Sequence, residues 1–478
     1  MDKKVIRNYL YNLGYQVLVI ILPLITTPYV SRVLGAKGIG TYGYTNSITQ
    51  YFILFGCIGL NLYGQREIAY YQNNVDKRSK IFFELLILRI ITVSISICLY
   101  YFTFCQNKTY GFIFSIQIID VIASMFDISW LYQGMEDFKK IVIRNTLVKI
   151  CGLIIIFAFV KSPSDLPIYV LSYSVTLLLG NLSMWMYLPK FVKRVSLNQL
   201  DIRKHTRPTI VLFLPQIATS IYTMLDKTMI GALTGNTAEV GYYEQSQKII
   251  KMAMTLATSL GTVMLPRVAN MYKEGKMNEV KESMYTSFQF ISFLVFPLCF
   301  GLVGIAKGFV PWFFGNGYDK VVLNMIIIAP IIFIIGYSNV IGTQFLLPTG
   351  RQKYYTVSVC TGTVVNLVFN LFLIPHLLSY GAALATVIAE MSVTLVQIYA
   401  TRNIFSYKYI FKIIYKYIIA ALIMFLGISM LSNILSISIL NTFIEIFLGC
   451  IIYFLILIIL KDKTVGSFLY KVIKKVNL

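Results

Sequence analysis

Apolar runs of about 20 residues recur along nearly the whole chain, and a helix of that length just crosses the hydrocarbon core of a bilayer. In hydrocarbon every backbone N–H and C=O must find its partner inside the segment, so runs of this kind are read as helices. With 57% of 478 residues apolar and only 13% charged, an ordinary soluble domain is excluded. The runs lie at 9–31, 42–65, 81–104, 110–133, 142–160, 166–188, 209–233, 240–265, 283–306, 321–346, 354–374, 379–401, 410–431 and 436–460. They predict an all-α integral membrane protein with about fourteen transmembrane helices. The basic start, Met1 to Arg7, leads into the first run with no small-residue cleavage site after it, so it is read as a retained span.

The basic residues test that count. With both termini in the cytoplasm, roughly thirty Lys and Arg fall on the cytoplasmic side and about six on the other. Those few are Arg32, Lys37, Lys108, Lys161, Lys307 and Lys320. One helix more or fewer would scramble the alternation. The net charge of +22 is thereby read as orientation and contact with anionic lipid, with no nucleic-acid partner. Abundant Ile, Lys, Tyr and Asn lean towards a bacterial genome, hence a bacterial cytoplasmic (inner) membrane. Seven cysteines lie singly without metal-ligand spacing and are read as buried thiols. His205 and His376 sit in expected loops far apart, so no metal site is expected. No Walker A motif and no cofactor signature appears, leaving coupling to H+ or Na+.

The chain also repeats itself. ILPLITTPYVSRVLGAKGIGTYGY (21–44) and FLPQIATSIYTMLDKTMIGALTGNTAEVGYY (213–243) both run from Leu-Pro to a bulky aliphatic plus Gly, then a short Gly-containing loop and tyrosine. Pro23 aligns with Pro215, Gly35 with Gly231 and Tyr42 with Tyr243. A second echo links WLYQGMEDFKK (130–140) to FLLPTGRQKYY (345–355). The offset of roughly 200 residues suggests a duplicated six-helix unit. The expected division is an N-lobe at 1–189, a cytoplasmic interlobe loop at 190–208, a C-lobe at 209–403, and two further helices with a basic tail at 404–478.

The segment SRVLGAKGIGTYGYTNSITQYFILFGCIGL followed by GQREIA, and the later DKTMIG with GYYEQSQKI, resemble the polysaccharide and O-antigen (Wzx-like) flippase family. That family belongs to the multidrug/oligosaccharidyl-lipid/polysaccharide exporter superfamily. The resemblance implies two lobes in a V around a central cavity lined mainly by the first, second, seventh and eighth spans. It implies a polyprenyl-diphosphate-linked oligosaccharide as cargo, moved to the outer leaflet by alternating access without covalent catalysis. A polysaccharide polymerase and chain-length regulators are the implied partners. A lipid II-type flippase and a cation-coupled multidrug exporter are the alternatives within the superfamily. A membrane glycosyl polymerase would need a long external loop with clustered acids or histidines, which the chain lacks.

Charges inside the runs cost at least ~2.5 kcal/mol each at mid-bilayer and should face protein or water. Glu244, Lys248 and Lys251 are spaced i, i+4, i+7, on one helical face with Thr255. Gln216, Thr219, Thr223 and Asp226 form a similar stripe one span earlier, with Lys227 beside it. The lysines suit an anionic head group, and Lys251 lies too deep, ~16 Å into its helix, to snorkel easily. The competing reading is outer-leaflet pairing of Asp226 with Lys227 and Glu244 with Lys248. The resemblance adds Arg32, at a membrane edge, to a cationic cavity. Asn46 and Gln50 are candidates for sugar hydroxyls or for packing. Glu84, together with Asp120 and Asp127, seven apart on one expected helix, is read as pairing with Arg89 and Lys149, or as an ion relay. Pro23, Pro28 and Pro215 are candidate kinks or gates. Gly304 and Gly308 have small-xxx-small packing spacing.

Overall fold

A chain that must satisfy its own backbone in hydrocarbon folds as helix, and this one does. The computed structural model describes the backbone of residues 3–462, with side chains from Ile21 onward except at scattered positions, chiefly within 214–263. Among the described residues there is no strand. The helices are α1 (Lys3–Cys57), α2 (Leu60–Tyr70), α3 (Val75–Tyr100), α4 (Gly111–Met125), α5 (Ser129–Gly134), α6 (Phe138–Phe159), α7 (Leu166–Trp185) and α8 (Arg203–Thr234). They continue as α9 (Thr237–Lys273), α10 (Met277–Phe314), α11 (Asp319–Ile328), α12 (Ile331–Ser338), α13 (Gln352–Leu377), α14 (Ser379–Thr401), α15 (Tyr407–Ile434) and α16 (Ile439–Ile459).

Each of the expected runs is helical, but among the described residues 10 helices are long and apolar enough to cross a membrane. They correspond to the runs at 81–104, 110–133, 142–160, 166–188, 283–306, 321–346, 354–374, 379–401, 410–431 and 436–460.

The first two runs are not joined by the expected loop. Helix α1 continues through both, interrupted at Gly35, whose φ of 66° and ψ of 174° only glycine adopts without strain. Pro23 and Pro28 lie inside the helical run, and the non-helical dihedrals fall at Gly35 instead of at either proline. A proline removes one N–H yet keeps a helical φ, whereas glycine lets the chain reverse the sign of φ. In the second repeat the matching break is at Gly235, φ 63°, between α8 and α9. The aligned Gly231 is helical and buried, and a Cβ there would stand 2.1 Å from the Tyr44 ring. Gly35 thus corresponds to Gly235, not Gly231.

The fourth run of each repeat is broken as well. One splits into α4 and α5, and its counterpart into α11 and α12 followed by a π-helical turn at Asn339–Leu346. Pro330 opens α12 and has no N–H to continue α11. The second sequence echo falls just after these two breaks, where α6 and α13 begin.

Two compact units result, one of residues 1–232 with 236–241, the other of residues 233–235 with 242–478. In the first, α1 packs on α3, α4 and α6, and α4 packs on α7. Its principal core gathers Phe82, Leu85, Trp130, Leu131 and Tyr132. Backbones meet where Gly40 lies against Gly241. A Cβ on Gly40 would fall 1.6 Å from the Thr237 carbonyl oxygen, and one on Gly241 would fall 2.1 Å from that of Ala36. In the second unit α13 packs on α14, and α10 packs on α15 and α16. There Gly304 abuts Ile428 and Gly308 faces Glu445, as the small-residue spacing anticipates.

The cysteines are free thiols, with Cys57 and Cys299 buried but Cys98, Cys151, Cys360 and Cys450 exposed. In a membrane protein the outer face is itself apolar, so an apolar residue type does not require burial.

Candidate functional site

The kink at Gly35 lets both arms of α1 wall one cavity inside the first unit. Its volume is about 330 Å³. Pro23 and Thr26 enter it from before the kink, and Tyr42, Asn46 and Gln50 from after it. Those last three are four residues apart, one above another on a helical face. Asp120 of α4, Lys149 of α6, and Tyr173 and Thr176 of α7 close the space. Asp120 is only 5% exposed, whereas Asn46, Gln50 and Lys149 are half-buried and Tyr173 is exposed, so the cavity is open on one side.

Its aromatic wall is ordered. The Tyr42 and Tyr173 rings stack with centroids 5.9 Å apart and planes 21° from parallel. Tyr169 meets both edge-on, at 5.3 and 5.1 Å. Tyr42 entered the sequence reading only as a repeat marker. Its four-residue spacing to Asn46 and Gln50 was the signal that could have placed it at a site.

Four of the singled-out polar residues thus converge: Asn46, Gln50, Asp120 and Lys149. Asp127 does not join them. Its helix ends at Met125, so the seven-residue spacing no longer stacks it over Asp120. Instead Asp127 accepts the Ser129 N–H at 2.9 Å and pairs with Arg144 at 3.6 Å. Arg89 is buried and donates to neutral acceptors, namely the Ser124 carbonyl at 2.7 Å, Asn61 Oδ1 at 2.8 Å and Cys57 Sγ at 3.3 Å.

Glu84 is paired, as expected, but within a second buried cluster with partners other than Arg89 and Lys149. Glu84 of α3 is fully buried and accepts from the Asp201 N–H at 2.8 Å, Lys204 Nζ at 2.9 Å and His205 Nε2 at 2.8 Å. His205 Nδ1 bonds the Tyr63 hydroxyl at 2.8 Å. His205 is therefore no loop residue but part of the first turn of α8, held into the first unit. His376 lies in the last turn of α13.

On α9 the expected charged face is present. Glu244 and Lys248 are half-buried, Lys251 and Thr255 are exposed, and Ile249, Ile250, Ala253 and Ala257 are buried on the other side. Thr255 Oγ1 donates to the Lys251 carbonyl at 2.9 Å. On α8, Asp226 is buried and Lys227 half-buried, both within the first unit, while Thr223 is exposed. Next to them Thr228 bonds Ser47 of α1 at 2.8 Å. Arg32 is exposed three residues before the Gly35 kink, and Pro28 is half-buried outside the cavity. The backbone of α8 is helical through Pro215, but that side chain and those of Gln216 and Thr219 lie outside the described residues. Among the described residues no cluster of His, Cys, Asp or Glu could hold a metal ion.

Comparison with known families decides the class. Residues 5–272 match the family described as polysaccharide biosynthesis protein. The chain belongs to that family. Among this family member's relatives, a protein of Escherichia coli K12 named "Putative O-antigen transporter" is 25% identical over 405 residues, covering 83% of this chain and 96% of that one. A lipid II flippase, MurJ, of Bacillus subtilis is 23% identical over 37% of this chain and 33% of its own. Among solved structures, a lipid II flippase MurJ in an inward closed conformation superposes with TM-score 0.77 at 15% identity, over 95% of this chain and 99% of that one. An inward-facing multidrug resistance MATE family transporter of the MOP superfamily superposes with TM-score 0.63 at 14% identity, over 80% and 93%. The family member therefore has the fold of that superfamily.

Proposed function

We propose that the protein is a flippase that carries a polyprenyl-diphosphate-linked oligosaccharide from the cytoplasmic to the outer leaflet of a bacterial inner membrane by alternating access. Its product would feed capsule, exopolysaccharide or O-antigen assembly, with a polymerase and chain-length regulators as partners and both termini in the cytoplasm. The observation that carries this reading is the match along 96% of a protein named for O-antigen transport, inside a family named for polysaccharide biosynthesis.

The chemistry of α9 supports it. A lipid diphosphate concentrates negative charge, and a lysine ammonium is a compact partner for it. Lys248 and Lys251 lie on the less buried face of α9, away from the packed Ile249 and Ile250. Glu244, one turn before Lys248, offsets that lysine's charge when no lipid is bound. Asp120, Asp226 and Glu244 are the acids available to exchange H+ or Na+. A cationic drug would prefer an acidic face to this one. A lipid II-type cargo is the second reading, favoured by the superposition on the lipid II flippase.

The test is translocation of a lipid-linked oligosaccharide in vesicles reconstituted with purified protein. The double variant Lys248→Ala, Lys251→Ala is expected to lose most of the flux while inserting normally. Wild-type flux from that variant at equal protein level removes both lysines from the mechanism.

A further inference from the structure

The cavity beneath the Gly35 kink has a composition unlike two interhelical spaces of the second unit. The cavity between α10, α15 and α16 is lined by residues such as Leu298, Ile305, Met424 and Ile428. The one between α10, α12, α14 and α15 is lined by Phe296, Phe300, Phe333 and Ile414. Packing imperfections in a membrane bundle are apolar, because lipid and side chains are equally so. A space walled by two amides, a carboxyl, an ammonium and parallel tyrosine rings is a different object.

Charge narrows what it would accept. The Lys149 ammonium opposes a bare metal cation in a space of this size, and the Asp120 carboxyl opposes a phosphate. A neutral polyhydroxylated ring meets neither objection. Asn46 and Gln50 each present a donor pair and an acceptor one helical turn apart, the set that adjacent hydroxyls need. The tyrosine wall offers flat apolar surface for the C–H face of a ring. At about 330 Å³ the space lies at the small end of ligand pockets, which suits one ring and not a whole repeat unit.

We propose that this cavity of the first unit is a saccharide subsite that holds one sugar ring of the lipid-linked chain, with Asn46, Gln50, Asp120 and Lys149 bonding its hydroxyls against Tyr42 and Tyr173. The subsite deepens the flippase reading and rests on it. It assigns the sugar to the first unit, apart from the lysines of α9 that take the diphosphate.

Two probes separate the two claims: the lipid-linked oligosaccharide extracted from the cell of origin, and undecaprenyl diphosphate, which has no sugar. Both are titrated onto full-length protein in nanodiscs. Wild type is expected to bind the glycosylated lipid more tightly. The double variant Asn46→Ala, Gln50→Ala is expected to lose about tenfold in affinity for it, the equivalent of two ordinary hydrogen bonds, with undecaprenyl diphosphate binding unchanged. Tyr173→Leu, which keeps an apolar residue at an exposed position, is expected to act in the same direction. Equal losses for both lipids, or no loss for either in both variants, overturns the subsite. Wild type that binds neither lipid overturns the flippase reading itself, a result visible before any variant is made.

Discussion

The two units differ in how they pair the polar groups they bury. The first pairs its charged groups: buried Glu84 with Lys204 and His205, buried Arg89 with a carbonyl and an amide, and half-buried Asp127 with Arg144. The second buries Glu445 and Asp462 as well, but its buried side-chain pairs are chiefly between neutral groups, many of them amides. Asn324 donates to Ser379 at 3.1 Å, Gln344 to Asn339 at 3.2 Å and Gln397 to Ser358 at 3.1 Å. The Oε1 atoms of Gln344 and Gln397 are buried with no hydrogen-bond partner. A neutral amide left half-satisfied costs far less than a stranded charge. The first unit should therefore be brittle where its charged partners are removed, and the second tolerant at its buried amides.

The sharpest break of that comparison is steric. Gly40→Ala sets a Cβ against backbone, which no rotamer can relieve, so loss of folded protein or at least ~3 kcal/mol is expected. In the second unit, Gly308→Ala meets Glu445 Oε2 at an ordinary 3.5 Å. It should be neutral or stabilise by up to about 1 kcal/mol through helix propensity. Thermal unfolding of the two purified variants in one detergent measures both, and a matching loss in Gly308→Ala would erase the asymmetry.

Electrostatics supplies the next contrast. Glu84→Ala strands His205 and loosens Lys204, for an expected cost on the order of 3 kcal/mol. Gln344→Met removes a buried unpartnered oxygen together with one weak donor bond and should cost under about 1 kcal/mol. Denaturant or thermal midpoints read the difference; equal costs would mean that the buried ion cluster is not special.

Exposed charge should matter least in either unit. Lys193→Ala removes a solvent-exposed contact to Asp76 at 3.7 Å and should shift stability by no more than about 0.5 kcal/mol. Between α9 and α10, the Lys276 ammonium holds the Glu274 carboxyl below its usual range, and Glu274 in turn raises Lys276. A depressed carboxyl contributes above its unfolded pKa and loses that contribution as pH falls through the folded value; the raised amine contributes below its unfolded pKa and loses it as pH rises. Lys276→Ala should thus narrow its stability gap to wild type on acidification through the carboxylate range. A gap that widens there would contradict the pairing.

Much of the architecture was legible before any coordinates. Each apolar run became helix, and the echo of 130–140 in 345–355 marked the two places where a broken helix turns into the next. The face of Glu244, Lys248 and Lys251 followed from spacing alone. What failed depended on one residue's dihedrals or on distant partners. Gly231 and Gly235 both fit the repeat as letters, and only a positive φ chose the second. The break at Phe126–Ile128 carries no proline or glycine, so nothing local warned that Asp127 would leave the face of Asp120.

The amino-acid order alone determined a helical membrane chain, where its turns fall and which residues share a helical face, because hydrophobic period and length are local properties. Tertiary structure decided that Glu84 would meet His205 across 121 positions and that Asn46, Gln50, Asp120 and Lys149 would wall one space. It also decided that α8 would pack with the first unit. Those outcomes depend on how helices cross, and crossing is set by side-chain shape at contacts between segments far apart in the chain.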